Sequence, residues 1–219
     1  MIDTLLEKNW IPDFLIRSQI RRLNQRRLKS EAQKHANGYK AELVKELKSS
    51  PIAIETTAAN DQHYEVPPEF FERCLGKHLK YSCCYWPNGV SNLDQAESSM
   101  LELTCERADI KDGQTILELG CGWGAISLWM AEQYPNSKIL SVSNSNDQRK
   151  FIETTAAQRG LQNLQVQTCD MNSFETDQTF DRVVSVEMFE HMKNYDELLR
   201  RINKWLNSEG KLFVHIFSH

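Results

Sequence analysis

The sequence predicts an α/β protein: a parallel sheet with helices on both faces, preceded by a helical N-terminal cap. Three observations predict it. From Thr115 onward, strand-like and helix-like segments alternate, the pattern of a parallel sheet with crossover helices. The first strand-like segment, Thr115 to Glu118, feeds glycines at alternate positions (Gly120, Gly122, Gly124) and then the helix-like stretch Ala125–Tyr134. A strand, a Gly-rich turn and a helix N-terminus place backbone N–H groups around a ligand with no Cβ in the way. Most of the first 50 residues read as helical, and they carry eleven Lys/Arg against six Asp/Glu. The expected division is a cap over residues 1–60 and a sheet domain over 61–219.

Composition bounds the function. The chain has 219 residues, 40% of them hydrophobic and 26% charged, as in an ordinary soluble globular protein. Its net charge of −4 joins a net +5 in residues 1–50 to −9 in the remainder. That acidic remainder argues against a general nucleic-acid binder. No run of 18 apolar residues is present to span a membrane, and the N-terminus lacks a signal-peptide pattern. Six cysteines, at 74, 83, 84, 105, 121 and 169, form no Cys-x-x-Cys pair. Reduced thiols in a cytoplasmic protein are the expectation. The histidines show no metal-site spacing, so no metal is expected.

The elements follow in order. Trp10 to about Lys48 reads as helical, with Phe14, Ile16, Ile20, Leu23 and Leu28 as a rough apolar stripe. Arg17, Arg21, Arg22, Arg26, Arg27 and Lys29 lie off it. A basic amphipathic helix can make weak contact with an anionic membrane surface; a solvated cap face is the preferred reading. Lys40 to Leu47 continues as a second helix, ended by Ser49-Ser-Pro51. Ile52 to Pro68 is a polar, aromatic-bearing connection of the kind that covers ligand sites. Phe70 to Leu75 is a short helix. In Lys77–Pro87, Tyr81 and Ser82 can offer hydroxyls to a ligand carboxylate, and Tyr85 and Trp86 an apolar wall. Asn92 to Ala108 is an amphipathic helix. The later strands are Ile139–Val142, Leu164–Thr168, Phe180–Val186 and Lys211–Phe217. The helices between them are Asp147–Arg159 and Tyr195–Leu206, and Asn207-Ser-Glu-Gly210 is a turn.

Ligands of such sheets bind outside the strand C-termini, where strand order reverses, so the residues after each strand are the candidates. Gly120-x-Gly122-x-x-Ala125 would also pass as a dinucleotide fingerprint, which expects an acid at the end of the second strand. Here that strand ends in Ser143-Asn144-Ser-Asn, with Gln148 in the next first turn to hydrogen-bond a diol. After the third strand, Asp170 can accept from an exocyclic amine and Met171 can pack on a ring. Glu118 before the glycines together with Asp170 after the third strand is the nucleoside pattern of S-adenosylmethionine enzymes, not of dehydrogenases.

On these residues the chain resembles the class I S-adenosylmethionine-dependent methyltransferases. Ile116-Leu-Glu-Leu-Gly-Cys-Gly-Trp-Gly124 is similar to their first motif, specifically to that of the cyclopropane-fatty-acyl-phospholipid synthase and coclaurine N-methyltransferase family. Ala59–Pro67, Leu79–Tyr85 and Ser185–Tyr195 carry the likeness further, which covers Asn60 to His219. The resemblance implies S-adenosyl-L-methionine as cofactor. Tyr81 and Ser82 would lie near its methionine end, with Glu118 below the amino group, and Gly120, Gly122 and Gly124 would allow close approach. Ser143, Asn144 and Gln148 would hold the ribose, and Asp170 with Met171 the adenine. Glu187, Glu190 and His191 would position and deprotonate a small-molecule acceptor, favoured as an amine. The alternative is cyclopropanation of unsaturated acyl chains of lipids; in such synthases a bicarbonate base is held by groups matching Cys83, Glu190 and His215. A second alternative is a non-catalytic cofactor-binding module. Without a catalytic role, Glu187–His191 would be a helix N-terminus with favourable acids in its first turn. The family's sheet has seven strands and this sequence stops near the end of the fifth. A truncated sheet with an unpaired edge is therefore expected.

Overall fold

Five strands, β1 (Thr115–Leu119), β2 (Lys138–Ser143), β3 (Leu164–Thr168), β4 (Phe180–Val186) and β5 (Leu206–His215), pair in parallel in the order β3-β2-β1-β4-β5. The computed structural model describes residues 2–54 and 68–217; residues 55–67 of the connection expected to cover a ligand site, with its block Ala59–Pro67, lie outside them, as do Ser218 and His219. Strand order runs outward from β1 in both directions, which puts the topological switch point between β1 and β4.

Both faces of the sheet are covered, as the unbroken burial of Ile116 to Leu119 on β1 requires. Leu117 and Leu119 join Val183 and Phe180 of β4 under Leu198, Ile202 and Trp205 of a helix over Tyr195–Trp205. Ile116 and Val184 face the other way, onto Leu101 and Cys105 of one helix (Leu93–Arg107) and Ile126 and Met130 of another (Ala125–Gln133). Successive strand residues point to opposite faces, so a parallel sheet with two apolar faces must be sandwiched. A further helix, Asn146–Gln158, buries Ile152 and Ala156 against Val166 of β3. In chain order the helices are α1 (Ile2–Glu7), α2 (Asp13–Ala36), α3 (Tyr39–Ser49), α4 (Pro68–Cys74), α5 (Leu93–Arg107), α6 (Ala125–Gln133), α7 (Asn146–Gln158) and α8 (Tyr195–Trp205).

Their ends are set locally. Asn92, Ser145 and Asn194 cap α5, α7 and α8 by accepting from Gln95 N, Gln148 N and Glu197 N. Arg182, buried on β4, ties that strand to the end of α5: its Nε donates to the carbonyls of Ala108 and Asp109, and its Nη2 reaches Asp109 Oδ2 at 2.7 Å. Lys211 on β5 shares the same carboxylate at 2.8 Å.

One expectation needs correcting. Residues 207–210 are not a turn ahead of the last strand but an irregularity within it, where Phe180 pairs with Leu206 and Arg182 with Lys211. Asn207 Nδ2 donates to Asp181 Oδ1 at 2.8 Å, holding the segment along β4. A Cβ on Gly210 would meet Phe180 O at 2.8 Å, so the two backbones approach there as only glycine allows.

Residues 1–49 and 50–219 form two compact units. In the first, α2 and α3 are separated at Asn37-Gly38, where Gly38 takes φ +76°. No residue of α2 is buried, and Phe14, Ile20, Leu23 and Leu28 of the expected stripe are exposed. No described helix is long and apolar enough to cross a membrane. All six cysteines are free thiols.

Candidate active site

Glu118 is buried near the end of β1, where its Oε2 accepts from the hydroxyls of Ser127 and Ser141, the latter at 2.7 Å. Burial pushes its pKa up to about 7, against the opposing pull of those two hydrogen bonds. The three glycines that follow all have positive φ, yet their surroundings differ. A Cβ on Gly120 would strike Met188 Cγ at 2.6 Å, and one on Gly124 would strike Ile152 Cγ1 at 2.6 Å. Around Gly122 nothing lies within 4 Å. Gly120 and Gly122 line a cleft beyond β1 and β4; Gly124 does not, and serves helix packing instead.

At the end of β2, the Ser143 hydroxyl donates to Gln148 Oε1 at 2.6 Å and accepts from Ser145 N. This fixes the Gln148 amide, whose buried Nε2 has no partner among the described residues. Ser143, Asn144, Gln148 and the buried Met171 all line the cleft. Asp170 is not among the lining residues, and its Oδ1 accepts from Asn172 N at 2.7 Å. Asn172 in turn clasps Ala53, accepting from its N at 3.0 Å and donating to its carbonyl at 2.9 Å.

The loop ahead of α5 is shaped by Glu97. Its fully buried carboxylate accepts from the backbone N–H groups of Gly76, His78 and Lys80. Tyr81 lies edge-on to Phe71, itself packed on Trp123, and the Ser82 hydroxyl accepts from Lys80 Nζ. Lys80, which sequence reasoning missed, is 4% exposed and lines the cleft with Tyr81 and Ser82. Desolvation lowers its pKa from the ordinary ammonium value.

Beyond β4 the chain turns at once. Glu187 takes φ +52°, a left-handed conformation costly for a side chain of this size, and donates its N–H to His215 O at 2.7 Å. A single 3₁₀ turn over Phe189–His191 follows, held by stacking of Phe189 on Tyr195 and by the Tyr195 hydroxyl donating to Phe189 O. It is a 3₁₀ turn rather than the first turn of a longer helix. Glu187 and His191 line the cleft. Glu190 does not; its Oε1 accepts from Phe217 N at 2.9 Å, and its Oε2 is buried with no partner among the described residues. The Cys83 thiol and His215 Nε2 are 3.7 Å apart, and a Glu187 carboxylate oxygen completes a group whose donor atoms lie within 4.8 Å of one another. Such a set could hold a small anion or a divalent ion. In this cluster Glu187 stands where the resemblance placed Glu190.

One cleft of about 270 Å³ thus gathers eleven of the fourteen expected site residues, all but Gly124, Asp170 and Glu190. Sequence reasoning missed Lys80, Trp123, Ala53 and Phe217 on its walls.

Comparison with known proteins agrees with this geometry. The profile of the family described as mycolic acid cyclopropane synthetase matches residues 53–219. The chain is 43% identical over 217 residues to (S)-coclaurine N-methyltransferase of Thalictrum flavum subsp. glaucum, covering 98% of this chain and 60% of that protein. It is 35% identical over 156 residues to cyclopropane-fatty-acyl-phospholipid synthase of Escherichia coli (strain K12), covering 70% of this chain and 39% of that one. A crystal structure of coclaurine N-methyltransferase bound to N-methylheliamine and SAH superposes with TM-score 0.85 at 40% identity, covering 97% of this chain and 62% of the other. Mycolic acid cyclopropane synthase CmaA1, complexed with SAH and CTAB, gives 0.66 at 25% identity over 73% of this chain and 56% of its own. The chain spans about 60% of the length of the coclaurine N-methyltransferases it matches. On its cleft, its sheet order and these matches, the chain belongs to the mycolic acid cyclopropane synthetase family.

Proposed function

We propose that this chain is the cofactor-binding core of an S-adenosylmethionine-dependent methyltransferase acting on a small amine. The observation that carries the reading is one cleft with nucleoside-type groups at one end and Glu187 with His191 at the other. The cofactor fits the residues present: among the described residues the buried Gln148 amide N–H₂ has no acceptor, and a Cβ on Gly122 would meet nothing within 4 Å. Ser143, Asn144 and Gln148 would hold the ribose, Met171 would pack on the adenine, and Tyr81 with Ser82 would flank the methionine end. Asp170 acts one step back, by ordering Asn172. When bound, the cofactor supplies an electrophilic methyl group on a sulfonium.

The chain's own residues then align and deprotonate. Glu187 draws a cationic amine into line, and His191, exposed at the cleft, takes its proton so that the nitrogen lone pair is free to attack. With the cofactor held by these residues, the C–N bond would form as the C–S bond breaks, and the sulfur would depart as a neutral thioether. Glu190 supports this turn through Phe217 N. The amine reading also has the support of relatives named as N-methyltransferases acting on coclaurine, tetrahydroprotoberberine and pavine. A second reading, cyclopropanation of an acyl chain, is favoured by the Cys83–His215 pair beside Glu187, which suits a small anionic base.

Incubating the chain with methyl-labelled cofactor and separate pools of benzylic amines and unsaturated phospholipid tests both readings. Label is expected in the amine pool. Glu187→Gln and His191→Ala are each expected to lower transfer by roughly 10²–10⁴-fold while leaving cofactor affinity within a factor of about three. Label in the lipid alone would replace the amine reading with the second, and unchanged turnover would remove that residue from the mechanism.

A further inference from the structure

Among the described residues Lys80 is the one buried ammonium on the cleft wall, and its surroundings are unusual. Its Nζ donates to the Ser82 hydroxyl, and among the described residues no carboxylate comes within ion-pair distance of it. The nearby acids are otherwise engaged. Glu97 accepts from three backbone N–H groups, and Glu118 from two hydroxyls. Glu187 is felt electrostatically but forms no ion pair with Lys80. A buried cation with one neutral partner is costly, and it is stabilised when an anion enters the same space.

We infer that Lys80 binds the α-carboxylate of the cofactor's methionine moiety, an inference that rests on the cofactor reading above. That carboxylate is the only anionic group of S-adenosylmethionine. Its neighbour on the same carbon is an ammonium, so the ligand end is a zwitterion. For the anionic half the cleft offers the Lys80 ammonium beside Ser82. Lys80 also directly precedes Tyr81 and Ser82, whose hydroxyls are suited to the same oxygens. A charge-assisted hydrogen bond in a dry site discriminates strongly against a ligand that lacks the anion.

Calorimetry with two ligands tests this. S-adenosylhomocysteine carries the carboxylate; 5′-deoxy-5′-(3-aminopropylthio)adenosine is the same molecule without it. The wild-type chain is expected to bind the first roughly tenfold or more tighter than the second. Lys80→Met, of similar length and apolar, should bind both alike, with affinity for the decarboxylated ligand unchanged; Lys80→Arg should keep part of the gap. Equal weakening of both ligands in Lys80→Met would reduce Lys80 to a structural role and overturn the inference, as would an undiminished gap. An undiminished gap with weakened binding of a carboxylate-bearing acceptor would reassign Lys80 to the acceptor. If a folded wild-type chain binds neither ligand, the cofactor reading falls and this inference with it. Binding of both with no gap would spare the cofactor reading and sink Lys80 alone.

Discussion

Glu118 shows what a single residue contributes here. Burial holds its pKa up to about 7, above an ordinary value of 4.5, so between those pH values the folded chain binds a proton that the unfolded chain has released. Stability from this group is therefore fully present below about pH 4.5 and is lost as pH rises through 7. Glu118→Gln should flatten that slope, worth up to roughly 3 kcal/mol, in urea unfolding at pH 5 and pH 8. Parallel profiles for the two proteins would mean that Glu118 titrates normally. The acid's identity was readable from its place two residues before the first glycine, but its two serine partners were not, because Ser127 and Ser141 come from α6 and β2. Lys80 and the left-handed Glu187 were equally hidden. Burial of the first depends on Glu97, seventeen residues on, and nothing local marks the second as a turn residue.

Among the elements, the β1–turn–α6 unit carries the most. Its three alternate glycines read alike in sequence, and the fold separates them by what stands opposite each. Gly124→Ala should destabilise the chain by about 1–3 kcal/mol, through the Ile152 clash and the left-handed backbone, and Ile152→Ala should recover part of that loss. Gly122→Ala meets open space and should cost only about 1 kcal/mol of stability while sharply weakening S-adenosylhomocysteine binding. Thermal unfolding and calorimetry on both variants check this contrast; equal loss of binding at equal stability would contradict it. From Leu93 to Trp205 most strand and helix limits were legible within a residue or two, because apolar runs and caps are local signals; the helix Ile2–Glu7 was not anticipated. The start of β5 was not. Asn207 to Gly210 has the chemistry of a turn, and only contacts with Asp181 and Phe180 hold it along β4.

At the scale of the whole molecule, the sheet has β5 at one margin, with a strand neighbour on one side only among the described residues, and Ile216 and Phe217 exposed just beyond it. An accessible strand edge with apolar side chains invites pairing with another chain. Ile216→Lys should reduce concentration-dependent association in light scattering without changing the unfolding midpoint by more than a few degrees; unaltered association would place the sticky surface elsewhere. The parallel sheet with helices on both faces followed from βαβα alternation, whereas its strand order and the Cys83–Glu187–His215 group did not, since the group's members lie up to 132 residues apart. The Asn172 side chain has a consequence of its own. With one amide it grips Ala53 on the cleft wall, and with its backbone N–H it orders Asp170 beside Met171. The segment around Ala53 also bridges to Met192, next to His191, and Ile52 O accepts from Lys193 N. A substitution that moves Ala53 would therefore be transmitted through Asn172 to Asp170 and Met171, at the end of β3, in the same stroke.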